Sequence, residues 1–171
     1  MGKLIPRISE QKIKEKIKET GNIISKDYKN KNLVLMGILK GSFLFLADLT
    51  RNVLIDHEID FVGASSYSGT STTGKITFTK KPDLDLKNKH VLLVEDIIDT
   101  GRTFAMITKH IKSLKPASLK ICTLIDKHER REIEINVDYS CFTIKRGFIV
   151  GYGLDYNEKY RNLTSIFDLE L

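Results

Sequence analysis

At 171 residues, 41% of them hydrophobic and 29% charged, the chain has the composition of one soluble globular domain and excludes disordered, fibrous and low-complexity classes. Of its formal net charge of +6, residues 1–31 supply most, with nine Lys/Arg against four Asp/Glu, so the rest is near neutral and charge argues against nucleic-acid binding. The longest apolar run, Phe43 to Ala47, falls far short of the ~20 residues that span a bilayer, and Cys122 and Cys141 stand apart with no metal-ligand spacing to any of His57, His90, His110 or His128, which points to a reducing, cytoplasmic setting without zinc.

In chain order, the first ten residues lack an apolar signal core. Ser9 followed by Ile13, Ile17, Ile23 and Ile24 predicts an N-capped amphipathic helix ending near Tyr28, whose default role is to cover a sheet. Strands are expected at Leu33–Ile38, Ile59–Ala64, Ile76–Thr79, Val91–Val94, Leu119–Ile125 and Gly147–Val150, with helices at Ser42–Arg51 and Thr103–Leu114. Strands such as Val91-Leu-Leu-Val94 show no polar alternation, so both faces are buried. Apolar strands alternating with helices predict an α/β fold, a doubly wound, largely parallel sheet in one domain over residues 1–171. Ligands of such sheets bind beyond the carboxyl ends of the strands.

Two nucleotide motifs fail there. Gly69 to Ile76 nearly spells a Walker A loop, but Ile76 has no hydroxyl for Mg²⁺ and the following residues are strand-like. Gly151-Tyr152-Gly153 could open a dinucleotide fingerprint, but Tyr156 occupies the position of its third glycine. The Ser/Thr/Gly-rich stretch from Ser65 to Lys75 reads as a mobile lid or, on composition alone, as a plain surface hairpin. Asn162-Leu163-Thr164 matches a glycosylation sequon, which has no meaning in a chain without export.

The informative segment is Val91-Leu-Leu-Val-Glu95-Asp96-Ile-Ile-Asp99-Thr100-Gly101-Arg102-Thr103-Phe104. A buried strand ends in two carboxylates, and a small hydroxyl-rich turn then opens a helix. Backbone N–H groups, two hydroxyls and the positive helix end from Thr100 to Thr103 make a cradle for a monophosphate. Gly101 lets the backbone come close to the phosphate oxygens. Glu95 and Asp96 can accept hydrogen bonds from a vicinal diol, directly or through hydrated Mg²⁺. The bland alternative makes Asp99 and Thr100 a helix cap and Glu95-Asp96 a solvated strand end.

This segment resembles the phosphoribosyl diphosphate (PRPP) signature of the type I phosphoribosyltransferases, in its hypoxanthine-guanine form. Three further stretches in the same order strengthen the resemblance: Leu39-Lys40-Gly41-Ser42 after the first predicted strand, Ser66-Tyr67 opening the polar loop, and Phe148 to Glu158 followed by Arg161. Together they cover about residues 10–165. The resemblance implies a central twisted parallel sheet flanked by helices, a small hood from the N-terminal helix and C-terminal segments, and a lid over about 65–75.

It also implies roles. Asp99, Thr100, Gly101, Arg102 and Thr103 bind the 5-phosphate, Arg102 chiefly through its backbone, and Asp99 faces N7 of a purine as acid or base. Glu95 and Asp96 hold the ribose diol and Mg²⁺, joined by Asp155. Leu39, Lys40, Gly41 and Arg161 hold pyrophosphate, with a Leu39–Lys40 peptide able to be cis. Phe148 stacks on the base, the Ile149 backbone meets its Watson–Crick edge, and Lys127 donates to a 6-oxo group. Ser66 and Tyr67 belong to the lid. Gly153 and Arg102 depart from the usual pattern without disturbing the phosphate cradle.

The implied reaction transfers phosphoribose from PRPP to N9 of hypoxanthine or guanine, with Mg²⁺ as cofactor, no membrane or nucleic-acid partner, and a homodimer or homotetramer as assembly. Alternatives are an RNA-binding regulator on the same fold, against which Lys127 with Phe148 argues, and an enzyme for xanthine or adenine.

Overall fold

The computed structural model describes residues 2–66 and 76–170. Its elements in chain order are β1 (Lys3–Ile8), α1 (Glu10–Asp27), β2 (Leu33–Leu39), α2 (Phe43–Asn52), β3 (His57–Ser66), β4 (Ile76–Lys80), β5 (His90–Ile98), α3 (Arg102–Ser113), β6 (Ser118–Lys127), β7 (Tyr139–Ile144), β8 (Ile149–Val150) and β9 (Ile166–Glu170).

The continuous apolar strands become the middle of a six-stranded sheet ordered β4-β3-β2-β5-β6-β7. All neighbours are parallel except the edge pair β3–β4. Successive strand residues point to opposite faces, so an apolar run feeds two cores at once. Leu33, Leu35, Leu92 and Val94 pack with Ile13, Ile17 and Leu49 from α1 and α2. Val34, Met36, Val91 and Leu93 pack with Phe104, Ile107 and Ile111 from α3 on the other face. Each fully buried Ile or Leu of this kind contributes about 1.5–3 kcal/mol through removal from water.

Helix α1 follows its sequence signals. Ser9 Oγ accepts from Lys12 N–H at 3.4 Å, and Ile13, Ile17 and Ile24 form one buried stripe. Ile23, expected in the buried set, is 51% exposed, since one residue is a turn of about 100° away from the Ile24 face.

Strands β1, β9 and β8 form a separate antiparallel sheet, the hood. Its N-terminal contribution is β1; the helix expected there, α1, packs instead against α2 and β7. Strands β1, β7 and β9 have no counterpart in the sequence reading, and the strand expected at Gly147–Val150 narrows to Ile149–Val150.

The sheet places the site. From β2 the chain moves outward to β3, whereas β5, β6 and β7 progress the other way. This reversal between β2 and β5 opens a crevice at their carboxyl ends. The Leu39–Lys40–Gly41 loop and the Glu95–Gly101 segment emerge on its two sides.

Candidate active site

Strand β5 does not stop at Val94 as expected. It continues to Ile98, with Ile97 and Ile98 still paired to Ile125 and Asp126 of β6. Glu95 and Asp96 therefore sit within the strand rather than at its tip. Asp96 is only 7% exposed, which removes the solvated strand end. The backbone N–H of Asp96 donates to Glu95 Oε1 at 3.1 Å. Burial raises both carboxyls above their ordinary values, and the Asp96 charge adds to the effect on Glu95. Burial thus favours the neutral form of both, and a cation bound here takes the place of those protons.

The capping alternative also fails. The N-cap of α3 is Gly101, at φ +86°, with no side-chain cap bond. A side chain there would be strained, and a Cβ would lie 2.9 Å from Ile135 Cδ1. Thr100 Oγ1 accepts weakly from Arg102 N–H at 3.5 Å. The carbonyl of Thr100 points backward, taking N–H donation from Glu132 at 3.0 Å and Ile133 at 3.1 Å. Thr103 opens the first turn of α3 and is partly exposed. The turn from Thr100 to Thr103 thus presents the amino end of a helix, with its unsatisfied N–H groups, beside the two acids.

Across the crevice, the Leu39–Lys40 peptide is cis. Gly41 is pressed against Asp96: a Cβ built on it would lie 2.5 Å from Asp96 Cγ and 2.7 Å from Oδ1. On its other side, a Cβ on Gly153, at φ +98°, would run into the Gly41 carbonyl, whose carbon is 3.3 Å away. The pyrophosphate-loop candidate is therefore wedged between strand β5 and the C-terminal loop. Gly153 is a packing partner of that loop, which the sequence had not indicated.

The C-terminal loop carries backbone strain: Tyr152, Asn157, Glu158 and Tyr160 all have positive φ. Tyr152 donates its hydroxyl to Asp48 of α2. Arg161 donates from Nη1 to the Gly153 carbonyl at 2.7 Å and from Nη2 to Glu158 Oε2 at 3.3 Å, and its Nη2 forms an ion pair with Asp155 Oδ1 at 2.8 Å. Its Nε is buried with no partner among the described residues. Lys40 Nζ lies 3.3 Å from Glu158 Oε1, so one carboxylate bridges the two cations assigned to pyrophosphate. Those cations hold the Glu158 carboxyl below its usual value, Arg161 most strongly.

A cavity of about 180 Å³ joins these parts, lined among others by Asp96, Asp99, Lys127, Phe148, Ile149 and Asp155. Lys127 is 5% exposed, with its Nζ 3.6 Å from Glu129 Oε2 and 3.9 Å from Asp99 Oδ2. Arg130 Nη1 is 3.6 Å from the same Asp99 oxygen. Asp99 Oδ1 is buried and has no hydrogen-bond partner among the described residues. Phe148 is 45% exposed and meets Tyr156 edge-on, centroids 5.7 Å apart at 87°. Ile149 is buried and fixed by its pairing to Asp168. The cavity thus has an aromatic wall, a buried ammonium and an unsatisfied carboxylate oxygen.

Ser66 ends strand β3, while Tyr67 and the rest of the expected lid to residue 75 lie outside the described residues. Sequence reasoning missed Glu129, Arg130 and Arg131, and it placed Leu154 and Glu158 in the C-terminal motif without a role. The run Lys127-His-Glu-Arg-Arg-Glu132 carried no signal beyond a charged surface loop. Among the described residues, no group of three or more His, Cys, Asp or Glu forms a metal cage, and no helix is long and apolar enough to cross a membrane.

A crevice at the switch point with a helix-opening turn on one side and the Leu39–Gly41 loop on the other is the setting of a phosphoribosyltransferase site, and the phosphoribosyl transferase domain family matches residues 7–157. The chain belongs to that family. Within it, the chain is similar to the hypoxanthine phosphoribosyltransferase of Buchnera aphidicola subsp. Schizaphis graminum, 48% identical over 93% of this chain and 92% of the relative. It is equally similar to the hypoxanthine-guanine phosphoribosyltransferase of Streptococcus pneumoniae, 48% identical over 93% of this chain and 89% of the relative. The solved hypoxanthine-guanine phosphoribosyltransferase of Bacillus anthracis superposes with a TM-score of 0.89 at 44% identity, covering 97% of this chain and 96% of that one.

Proposed function

We propose that this protein is a purine-salvage pentosyltransferase that moves the 5-phosphoribosyl group of PRPP to N9 of hypoxanthine, and of guanine, releasing pyrophosphate. The observation that carries the reading is the cavity lined by Asp99, Lys127 and Phe148, with Lys127 buried and Asp99 Oδ1 lacking a partner among the described residues. Buried unsatisfied oxygens are rare and call for a ligand or a chemical role.

In this reading the purine slides against Phe148, and Lys127 donates to its 6-oxo group. An ammonium has donors only, so it favours a 6-oxopurine and opposes the amino group of adenine. The 5-phosphate rests on the N–H groups from Thr100 to Thr103, and the ribose hydroxyls donate to Glu95 and Asp96. Lys40, Gly41 and Arg161 receive the pyrophosphate, which displaces Glu158 from the two cations. The anomeric carbon, C1, loses pyrophosphate and gains N9 through a transition state with positive charge on the sugar, by analogy with glycoside transfer. Asp99 takes or shares the proton at N7 of the base as the new bond forms.

Glu95 and Asp96, adjacent carboxyls linked through the Asp96 N–H to Glu95 Oε1, fit Mg²⁺, which is usually held by one or two carboxylates together with substrate phosphates and water. Glu95 and Asp96, with Asp155, would hold the ion, which would supply positive charge toward the leaving pyrophosphate. Water must be kept from the site, since it would otherwise hydrolyse PRPP.

The same reading makes residues 1–171 one catalytic domain, cytoplasmic in keeping with the free, buried Cys122 and Cys141. It also makes the chain a homodimer or homotetramer. The test is a competition among hypoxanthine, guanine, xanthine and adenine with PRPP and Mg²⁺, following pyrophosphate. Turnover with the first two is expected; turnover with none, or with adenine alone, refutes the reading.

A further inference from the structure

Arg131 lies in the irregular segment between β6 and β7, in a run that reads as solvated, yet its side chain is only 13% exposed. Its Nε donates to the Asp99 carbonyl at 2.9 Å. Its Nη2 is within hydrogen-bond distance of three acceptors: the Ile98 carbonyl at 2.8 Å, the Lys127 carbonyl at 2.9 Å and Asp126 Oδ1 at 2.6 Å. The guanidinium therefore joins the end of β5, which carries Asp99, to the end of β6, which carries Lys127. Parallel neighbours exchange no further ladder bonds past Ile98 and Asp126. Beyond that pair the two chain ends diverge, and Arg131 occupies the gap.

The adjoining residues extend the same brace. The N–H groups of Glu132 and Ile133 hold the Thr100 carbonyl. Three successive carbonyls, Ile98, Asp99 and Thr100, are thus held from behind by residues 131–133. With those acceptors engaged on the rear, the N–H groups that follow are left to the crevice, as a phosphate cradle needs.

We propose that Arg131 is a positioning residue for the transfer reaction: it fixes the spacing between Asp99 and Lys127, and so couples the purine subsite to the phosphate turn. A planar fork that reaches several carbonyls at once is what this junction uses, and an ammonium cannot reproduce it. The inference rests on the reading given under Proposed function, and it places Arg131 behind the site, touching neither substrate.

The test compares the wild type with Arg131→Ala and Arg131→Lys, each normalised to active sites counted by IMP binding in calorimetry. Per-site kcat/KM for hypoxanthine is expected to fall about 10²-fold in Arg131→Ala, the scale of a misplacement near 1 Å. Arg131→Lys is expected to recover only part of it. Millimolar guanidinium added to Arg131→Ala is expected to restore several-fold of the lost rate, and to do nothing to the wild type. Overturning results are wild-type per-site constants in both variants, or a loss confined to the number of binding sites, which marks a purely structural residue. Should Arg131→Ala not fold, Arg131→Lys decides alone by its per-site kcat and KM. Absence of turnover in the wild type in the same assay counts against the underlying function instead.

Discussion

Gly41→Ala tests the closeness of the two sides of the crevice. Gly41 has no positive φ, so alanine brings no backbone strain, only a collision. The new Cβ would stand 2.5 Å from Asp96 Cγ and closer still to Oδ2, where ordinary contact begins at 3.4 Å, so the carboxylate must retreat by more than about 0.9 Å. Asp96 is 7% exposed and Gly41 is closed in by Gly153, so the carboxylate can yield only into the cavity it lines, where it intrudes on the space for the ligand. Overpacking of this kind costs about 1–3 kcal/mol. For a chain of this size that lowers Tm by about 2–4 °C per kcal/mol. The functional loss should be larger than the thermal one, because a shift near 1 Å at a positioning group costs about 10²-fold. Initial rates at varied PRPP and saturating hypoxanthine, with thermal melts of the same samples, separate the two. A folded variant with an unchanged kcat/KM for PRPP would refute the assignment of Asp96 to the ribose and the wedge argument with it.

Asp99→Asn keeps the shape of the cavity but removes the proton acceptor, and is expected to lower kcat about 10²-fold with PRPP affinity retained; an unchanged kcat takes Asp99 out of the chemistry. Lys127→Met removes the donor to the 6-oxo group, and kcat/KM for hypoxanthine should fall about 10–100-fold, in line with ~1.5–3 kcal/mol for a hydrogen bond to a charged group. Equal losses for hypoxanthine and adenine would contradict that role. Glu95 is raised in the folded chain, so the folded form binds more protons than the unfolded one, and its contribution is present below the free carboxyl value and lost as pH rises through the raised one. Glu95→Gln without ligands should therefore melt above the wild type by a margin that widens from about pH 4 upward, where free Glu titrates; a constant margin contradicts the sign. Chelation with EDTA is expected to abolish turnover and Mg²⁺ to restore it, and full activity in EDTA would exclude the metal.

The central sheet was legible because β2, β5 and β6 are short apolar runs bounded by turns, and a strand buried on both faces needs little else. Strand β1 was hidden by Pro6, Lys3 and Arg7, which suit an edge position in a small sheet rather than a core. Strand β7 alternates buried and exposed residues only from Tyr139 to Cys141 and then loses the period, with Thr143 exposed and Ile144 buried, so its pattern is too short to read. Strand β9 mixes Asp168 and Glu170 with apolar residues, and only its pairing to β1 and β8 makes it a strand.

For the site, the segment from Glu95 to Thr103 was legible because its residues are contiguous and their spacing is chemical. Lys127 and Phe148 carry no such local signal, since each is an ordinary residue made functional by the cavity it lines. Arg131 shows the limit most clearly. Sequence places it in a charged loop, and only the divergence of two parallel strands explains why a guanidinium is buried there.

The most direct test of the account is a crystal structure of the protein with IMP. It should place the phosphate within hydrogen-bond distance of the backbone N–H groups from Thr100 to Thr103, the ribose hydroxyls against Glu95 and Asp96, and O6 of the base beside Lys127 Nζ under the Phe148 ring. A nucleotide bound with its phosphate away from that turn, or with its base outside the cavity between Asp99 and Phe148, would contradict it.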